Sequence, residues 1–311
     1  MAHEVETMAY AGETPWHGLG KRVIADLTPA QMLDEAGLNW TVEKIPAYAD
    51  VRGKQIYVGK DALVRSSDGR VLDTVSQDWN PVQNETAFEF FNEFIMAGDM
   101  EMHTAGSLKS GEIVWALAKV KDSFELFNGD KVESYLLFSN PHQYGKSIDI
   151  RFTPIRVVCN NTLTLSLNSK SDLMVRMSHR KEFDAEFVKN TLGIANEKLG
   201  TYKDMASFLG SKRFTVDTVK EYFTAVFPAM SSKNDKTESR AAKRAFEVLD
   251  TQPGHKFAEG SWWSAFNATT FLMDHELGHT TESRLASAWY GQNRNRKVVA
   301  LEKAVEMAEA A

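Results

Sequence analysis

Cysteine is nearly absent from this chain: Cys159 is the only one in 311 residues. An internal disulfide is therefore excluded, and so are cysteine-rich zinc modules; any metal would have to be held by histidines and carboxylates. Long apolar runs are missing as well. Runs such as those at residues 135–138 and 155–159 fall far short of the roughly 20 residues that span a bilayer. The opening MAHEVETMAY has no basic stretch followed by an apolar one. These absences lead us to expect a cytoplasmic protein without a membrane segment.

Excess positive charge is the third thing lacking. The formal net charge is −6, unevenly placed: residues 1–150 hold 13 Lys and Arg against 23 Asp and Glu, and residues 151–311 hold 23 against 19. An acidic balance argues against tight nonspecific duplex binding, but it leaves room for a local basic groove, more comfortably in the second half. Hydrophobic residues make up 43% and charged residues 25%, which is ample for a buried core.

The pattern along the chain predicts α+β. In LTPAQMLDEAGL, Thr28 and Gln31 form a capping box, Pro29 suits the first helical position and Gly37 ends the helix. Strand-like runs follow at residues 40–49, 54–66 and 70–76, the last two separated by the Asp68-Gly69 turn signal. NETAFEFFNEFIMAG reads as a helix capped by Asn84, with Phe88, Phe91 and Ile95 on one side. Further strands are expected between residues 101 and 159, with Asn128-Gly129 as a tight turn. A helix starting at Asn160-Asn161 and four or more later helices complete the reading. The expected architecture is an antiparallel β-sheet core crossed by helices, followed by a helical C-terminal region. This puts a β-rich domain at residues 1–168 and a mainly helical region at 169–311.

Two motifs invite enzymatic readings. His275-Glu276-Leu277-Gly278-His279 is the zinc-peptidase pattern: two histidines four apart on a helix can share a metal, with Glu302 as a third ligand and Glu276 as the base toward bound water. Against this, apolar periodicity stops at Gly278; a helix ending there would take His279 off the face of His275. NPHQYGKS imitates a phosphate-binding loop, but Asn140 replaces its first glycine and the strand-like IDIRF follows instead of a helix. No catalytic residue is assigned.

The segments MAYAGETPWHGLG, VSQDWNPVQNETAFEF, TAGSLKSGEIVWALAKV, FTPIRVVCNNTL and GSWWSAFNATTFLMDH together resemble the phage/plasmid-like protein family, which carries a conserved domain of unknown function, DUF932. The resemblance runs over nearly the whole chain and is most specific in TPIRVVCNNTL and WHGLG. It implies a role in a mobile element's replication, recombination or contest with its host, and it does not require the second histidine of the zinc pattern. The strand and helix order is also similar, at the level of fold, to single-strand annealing recombinases. That similarity implies homo-oligomers, in ring form, that hold DNA along a basic groove.

The residues that could do so are specific. Alternation in IDIRF puts Ile148, Ile150 and Phe152 in the core and Arg151 on the other face. The loop before it is expected to expose His142, Tyr144 and Lys146, a stacking surface beside a cation. Arg156, then Asn160 and Asn161 at a helix start, offer a cation and phosphate-binding amides. Arg176, Arg180, Lys181, Lys212 and Arg213 are further cations. Each has a plainer alternative: Arg151 and Arg156 as partners of carboxylates, the asparagines as caps, and Trp262, Trp263, Phe266 and Phe271 as core. The segment PWHGLG, with Trp16 and His17, either folds back or inserts into a neighbouring subunit. The expectation is thus a noncatalytic protein that binds and anneals single-stranded DNA without a cofactor. The alternatives are the zinc peptidase and a protein that binds a host factor in counter-defence.

Overall fold

The computed structural model describes residues 5–12, 19–127, 129–156, 161–162, 174–180, 184, 186, 200, 202–229, 238–278, 280, 284, 287–289 and 291–310. Eleven strands are described: β1 Val5–Ala11, β2 Lys21–Val23, β3 Val42–Val51, β4 Lys54–Arg65, β5 Val71–Val75, β6 Met100–Leu108, β7 Ile113–Leu126, β8 Asp130–Pro141, β9 Ile148–Arg156, β10 Asn161–Thr162 and β11 Met174–Met177. One sheet has the order β10-β9-β8-β7-β6-β1-β2, with β11 also on β9; a second, three-stranded sheet has the order β3-β4-β5. The chain is α+β with sheets that are antiparallel apart from the parallel β1–β2 pair, as the period-2 alternation implied.

Two compact units emerge. One takes Met1–Lys121, Tyr135–Phe152 and Met174–Gly193; the other takes Asp122–Ser134, Thr153–Leu173 and Ile194–Ala311.

In the first unit, α1 (Pro29–Glu35) begins with the expected box: Thr28 Oγ1 accepts from the Gln31 N–H at 3.2 Å and Gln31 Oε1 accepts from the Thr28 N–H at 2.9 Å. The helix expected after residue 84 forms as two short pieces, α2 (Asn84–Glu89) and α3 (Asn92–Met96). Asn84 does not cap. Its side chain turns inward, where its amide donates to the carbonyls of Leu38 and Trp40 at 3.0 and 3.2 Å. At Gly106 the β1 and β6 backbones approach so closely that a Cβ would strike the Thr7 carbonyl. In β9 the expected core set, Ile148, Ile150 and Phe152, is buried, yet the opposite face is covered too: Arg151 is only 9% exposed.

The second unit is built largely of helices: α4 (residues 202–211), α5 (Val216–Val226), α6 (Arg240–Val248), α7 (Trp262–Phe271) and α8 (Gln292–Glu309). The caps Thr215, Ser239 and Ser261 each accept from a backbone N–H three residues on, so local polar chemistry starts these helices. Trp262, Trp263 and Phe266 are fully buried with Tyr202, Tyr222, Phe223 and Leu301. Each such side chain contributes about 1.5–3 kcal/mol or more through burial. The Tyr222 hydroxyl donates to the Ala300 carbonyl at 3.0 Å, and Lys297 pairs with Asp274, both completely buried. The expected helix start at Asn160-Asn161 is replaced by strand β10, whose Asn161 lies opposite Arg156 of β9.

Among the described residues no helix is long and apolar enough to cross a membrane.

Candidate nucleic-acid interface

The three-stranded sheet carries the most unusual surface of the first unit. Its base is anchored: Val42 and Leu63 are buried, and Arg65, beneath the Trp40 ring at 5.4 Å, is clamped by Glu6 and Asp68 at 2.8 and 2.6 Å. Farther out, β3 and β4 continue as a two-stranded ribbon whose side chains on β4 are exposed from Lys54 through Lys60. The pairing runs Val42↔Arg65 to Pro46↔Asp61, breaks, and resumes at Tyr48↔Tyr57. Three residues, Val58, Gly59 and Lys60, therefore face the single residue Ala47. Gly59 supplies the left-handed backbone (φ +75°) that such a bulge needs.

Register divides the ribbon into two chemically different faces. One continues the anchored face outward through Lys44, Asp61, Tyr57 and Tyr48. The rings of Tyr48 and Tyr57 meet edge to face, with centroids 5.8 Å apart. The Tyr57 hydroxyl donates to Asp61 at 3.3 Å and accepts from the Gln77 amide at 2.9 Å. Lys44 donates to the carbonyls of Gln77 and Trp79 and pairs with Asp61 at 3.7 Å. The bulge brings Lys60 within 5.7 Å of the centroid of the Tyr144 ring. Tyr48 is 56% exposed and Tyr144 51%, so both rings are open to a ligand.

The loop bearing Tyr144 is tied down by its backbone. The His142 N–H donates to the Glu112 carbonyl at 2.7 Å, the Gln143 amide to the Glu112 carboxylate at 2.5 Å, and the Tyr144 N–H to the Asp73 carboxylate at 2.7 Å. A fixed aromatic ring loses little conformational freedom when a base stacks on it.

Of the residues singled out from sequence, Tyr144 and Lys146 are exposed in this loop, as expected. His142 is not: its imidazole is completely buried, bonds to Asn84 at 3.1 Å and lies edge-on to Trp40. Burial, and secondarily the nearby His179, pushes its pKa down to about 3. Arg151 is likewise withdrawn from any ligand, buried and paired with Asp149 at 3.6 Å. The reason is that β9 has neighbours over both faces, which alternation alone does not reveal. Arg176 is exposed, opposite Asp149 in the β11–β9 register, and Arg180 is exposed but paired with Asp78 at 3.0 Å. In the second unit, Lys212 lies over the Phe208 ring at 5.7 Å and Arg213 donates to the Glu259 carbonyl. Arg156 and Asn161 are described by backbone only, while Cys159, Asn160, Lys181, Trp16, His17 and His279 lie outside the described residues. Sequence reading missed Tyr48, Tyr57 and Lys60. The signal available was the unusual pairing of an alternating, aromatic ribbon with a glycine inside its second strand.

The zinc pattern has the wrong backbone. A π turn, Leu272–Glu276, closes α7, Leu277 is extended (φ −83°, ψ 111°) and Gly278 has φ +136°. The helical turn that would align His275 with a residue four positions on is therefore absent. Glu276, the would-be base, is held bidentately by Arg244 at 2.7 and 2.8 Å. His275 packs on Phe271 at 4.7 Å. Among the described residues, no group of three His, Cys, Asp or Glu side chains could hold a metal.

No curated protein and no solved structure matches the chain. The family described as Domain of unknown function (DUF932) matches residues 71–299, about three quarters of the sequence. The chain belongs to the DUF932 family.

Proposed function

We propose that this protein is a noncatalytic nucleic-acid-binding protein of a phage or plasmid, acting in the cytoplasm of a bacterial host. Its working surface is the tyrosine face of the β3–β4 ribbon with the 142–147 loop, which holds single-stranded DNA. The observation that carries this reading is the set of exposed rings, Tyr48, Tyr57 and Tyr144, with Lys60 beside the last. Bases need a π-face and phosphates need cations, and stacking tolerates any sequence. Strands held by stacking at intervals keep other base edges free to pair, which is the requirement for annealing. No bond is made or broken and no cofactor is used. Arg151 drops out of the binding set, because it is buried and paired with Asp149.

The test is a fluorescence-anisotropy titration of labelled single-stranded oligonucleotide at low salt. Tyr57→Ala and Tyr144→Ala should each weaken binding by about fivefold or more, corresponding to roughly 1–3 kcal/mol per stacked base. An absence of binding even at the lowest salt would overturn the proposal, as would affinity unchanged in both variants.

A further inference from the structure

The other face of the same ribbon is aliphatic and uncovered. Regular alternation along β3 puts Glu43, Ile45 and Val51 on it, and the register adds Lys54 and Ile56 from β4 and Val71 from β5. Ile45, Val51, Ile56 and Val71 are 43–57% exposed. A contiguous exposed patch of β-branched side chains on one sheet face marks an interface. Strand addition at the edge is disfavoured by Pro46, which sits in edge strand β3.

Charge identifies the occupant. Glu43 stands at the base of this face and Lys54, opposite Val51, stands at its tip. Eight residue steps at roughly 3.3 Å separate them by about 26 Å. Neither has an ion-pair partner among the described residues. A second copy of the same surface, turned about a twofold axis so that base meets tip, places Lys54 of each copy beside Glu43 of the other and buries the aliphatic residues between them. We propose that the protein dimerises in this way, through the aliphatic face of the β3–β4–β5 sheet. The tyrosine face of each copy is left free, so the dimer does not depend on nucleic acid.

The full chain is measured by size-exclusion chromatography with light scattering over a range of concentrations. A dimer is expected. Ile56→Glu should give a monomer with unchanged circular dichroism. Lys54→Glu and Glu43→Lys, each placing like charges together twice per dimer, should each raise the dissociation constant by about tenfold. Carrying both exchanges in one chain should restore it. A monomer at every concentration overturns the proposal, as does assembly indifferent to Ile56→Glu, or a double exchange no better than the singles. A monomer whose Ile56→Glu variant loses oligonucleotide would assign the face to nucleic acid and also overturn the dimer. Tyr57→Ala, which tests the tyrosine face, should leave the dimer intact.

Discussion

Both N–H groups of the Asn84 amide are committed to backbone carbonyls, so its oxygen must accept and His142 Nε2 must be the donor. His142 Nδ1 is then a bare, buried lone pair with no hydrogen-bond partner among the described residues. His179, stacked on Trp79 at 4.1 Å, is similarly buried; desolvation lowers its pKa to about 4, opposed by the carbonyls of Asn80 and Pro141. Both imidazoles are neutral in the fold and gain a proton near pH 6.5 once unfolded. Stability is therefore full above about pH 6.5 and falls as pH drops from there toward 4, by up to about 1.4 kcal/mol per pH unit for each imidazole. Urea denaturation at several pH values should show this slope. His142→Gln, which keeps a donor for Asn84, should reduce it by about half. Asn84 reads from sequence as a helix cap because a polar residue before an apolar run has that local use; its long-range partners lie at residues 38, 40 and 142, beyond any local pattern. The buried pair in the second unit gives a second residue-scale expectation. Lys297→Met removes one member of this buried ion pair and should cost about 3–5 kcal/mol, much of it recovered when Asp274→Leu is added. Thermal or chemical unfolding of the three variants checks this.

Most elements announce themselves locally, through caps and periodicity. Thr28, Thr215, Ser239 and Ser261 all begin helices that their sequences promise. Ends are harder. The helix carrying the zinc-like pattern stops where its apolar periodicity does, with Gly278 just past the cap residue Leu277, but the way it stops, in a π turn with Glu276 clamped by Arg244, is not written in any local pattern. The ribbon shows the converse: its strands are legible, but the bulge that aims Lys60 at Tyr144 depends on cross-strand register, which no single strand encodes. Gly59 has open space around it, so a methyl group there meets no neighbour and the left-handed backbone alone resists it. Gly59→Ala should cost about 1–2 kcal/mol in urea denaturation and weaken oligonucleotide binding by misplacing Lys60.

At the scale of the whole molecule, a net charge of −6 constrains how a strand could be held. Among the described candidates Arg151 is buried and Arg180 is paired, which leaves Lys60 and Lys146 near Tyr144, so on that surface stacking must supply most of the affinity. With two to three phosphates neutralised, log affinity against log salt should have a slope of about −1.4 to −2. A slope steeper than about −4 would show that phosphate contacts dominate and that the tyrosine surface is secondary. Fold class was legible from alternation and periodicity, whereas the division of the chain was not, because strand pairing recruits distant segments. The unit holding the ribbon also needs residues 174–193, which include β11 and His179, and the other unit reclaims residues 122–134. No single cut can therefore release either half intact: a fragment ending at residue 168 would lack the strand that flanks Arg151, and a clone beginning at 169 would lack the hairpin segment that carries Asp130, the acceptor for Trp263. Whoever dissects this protein must work by substitution rather than by scissors.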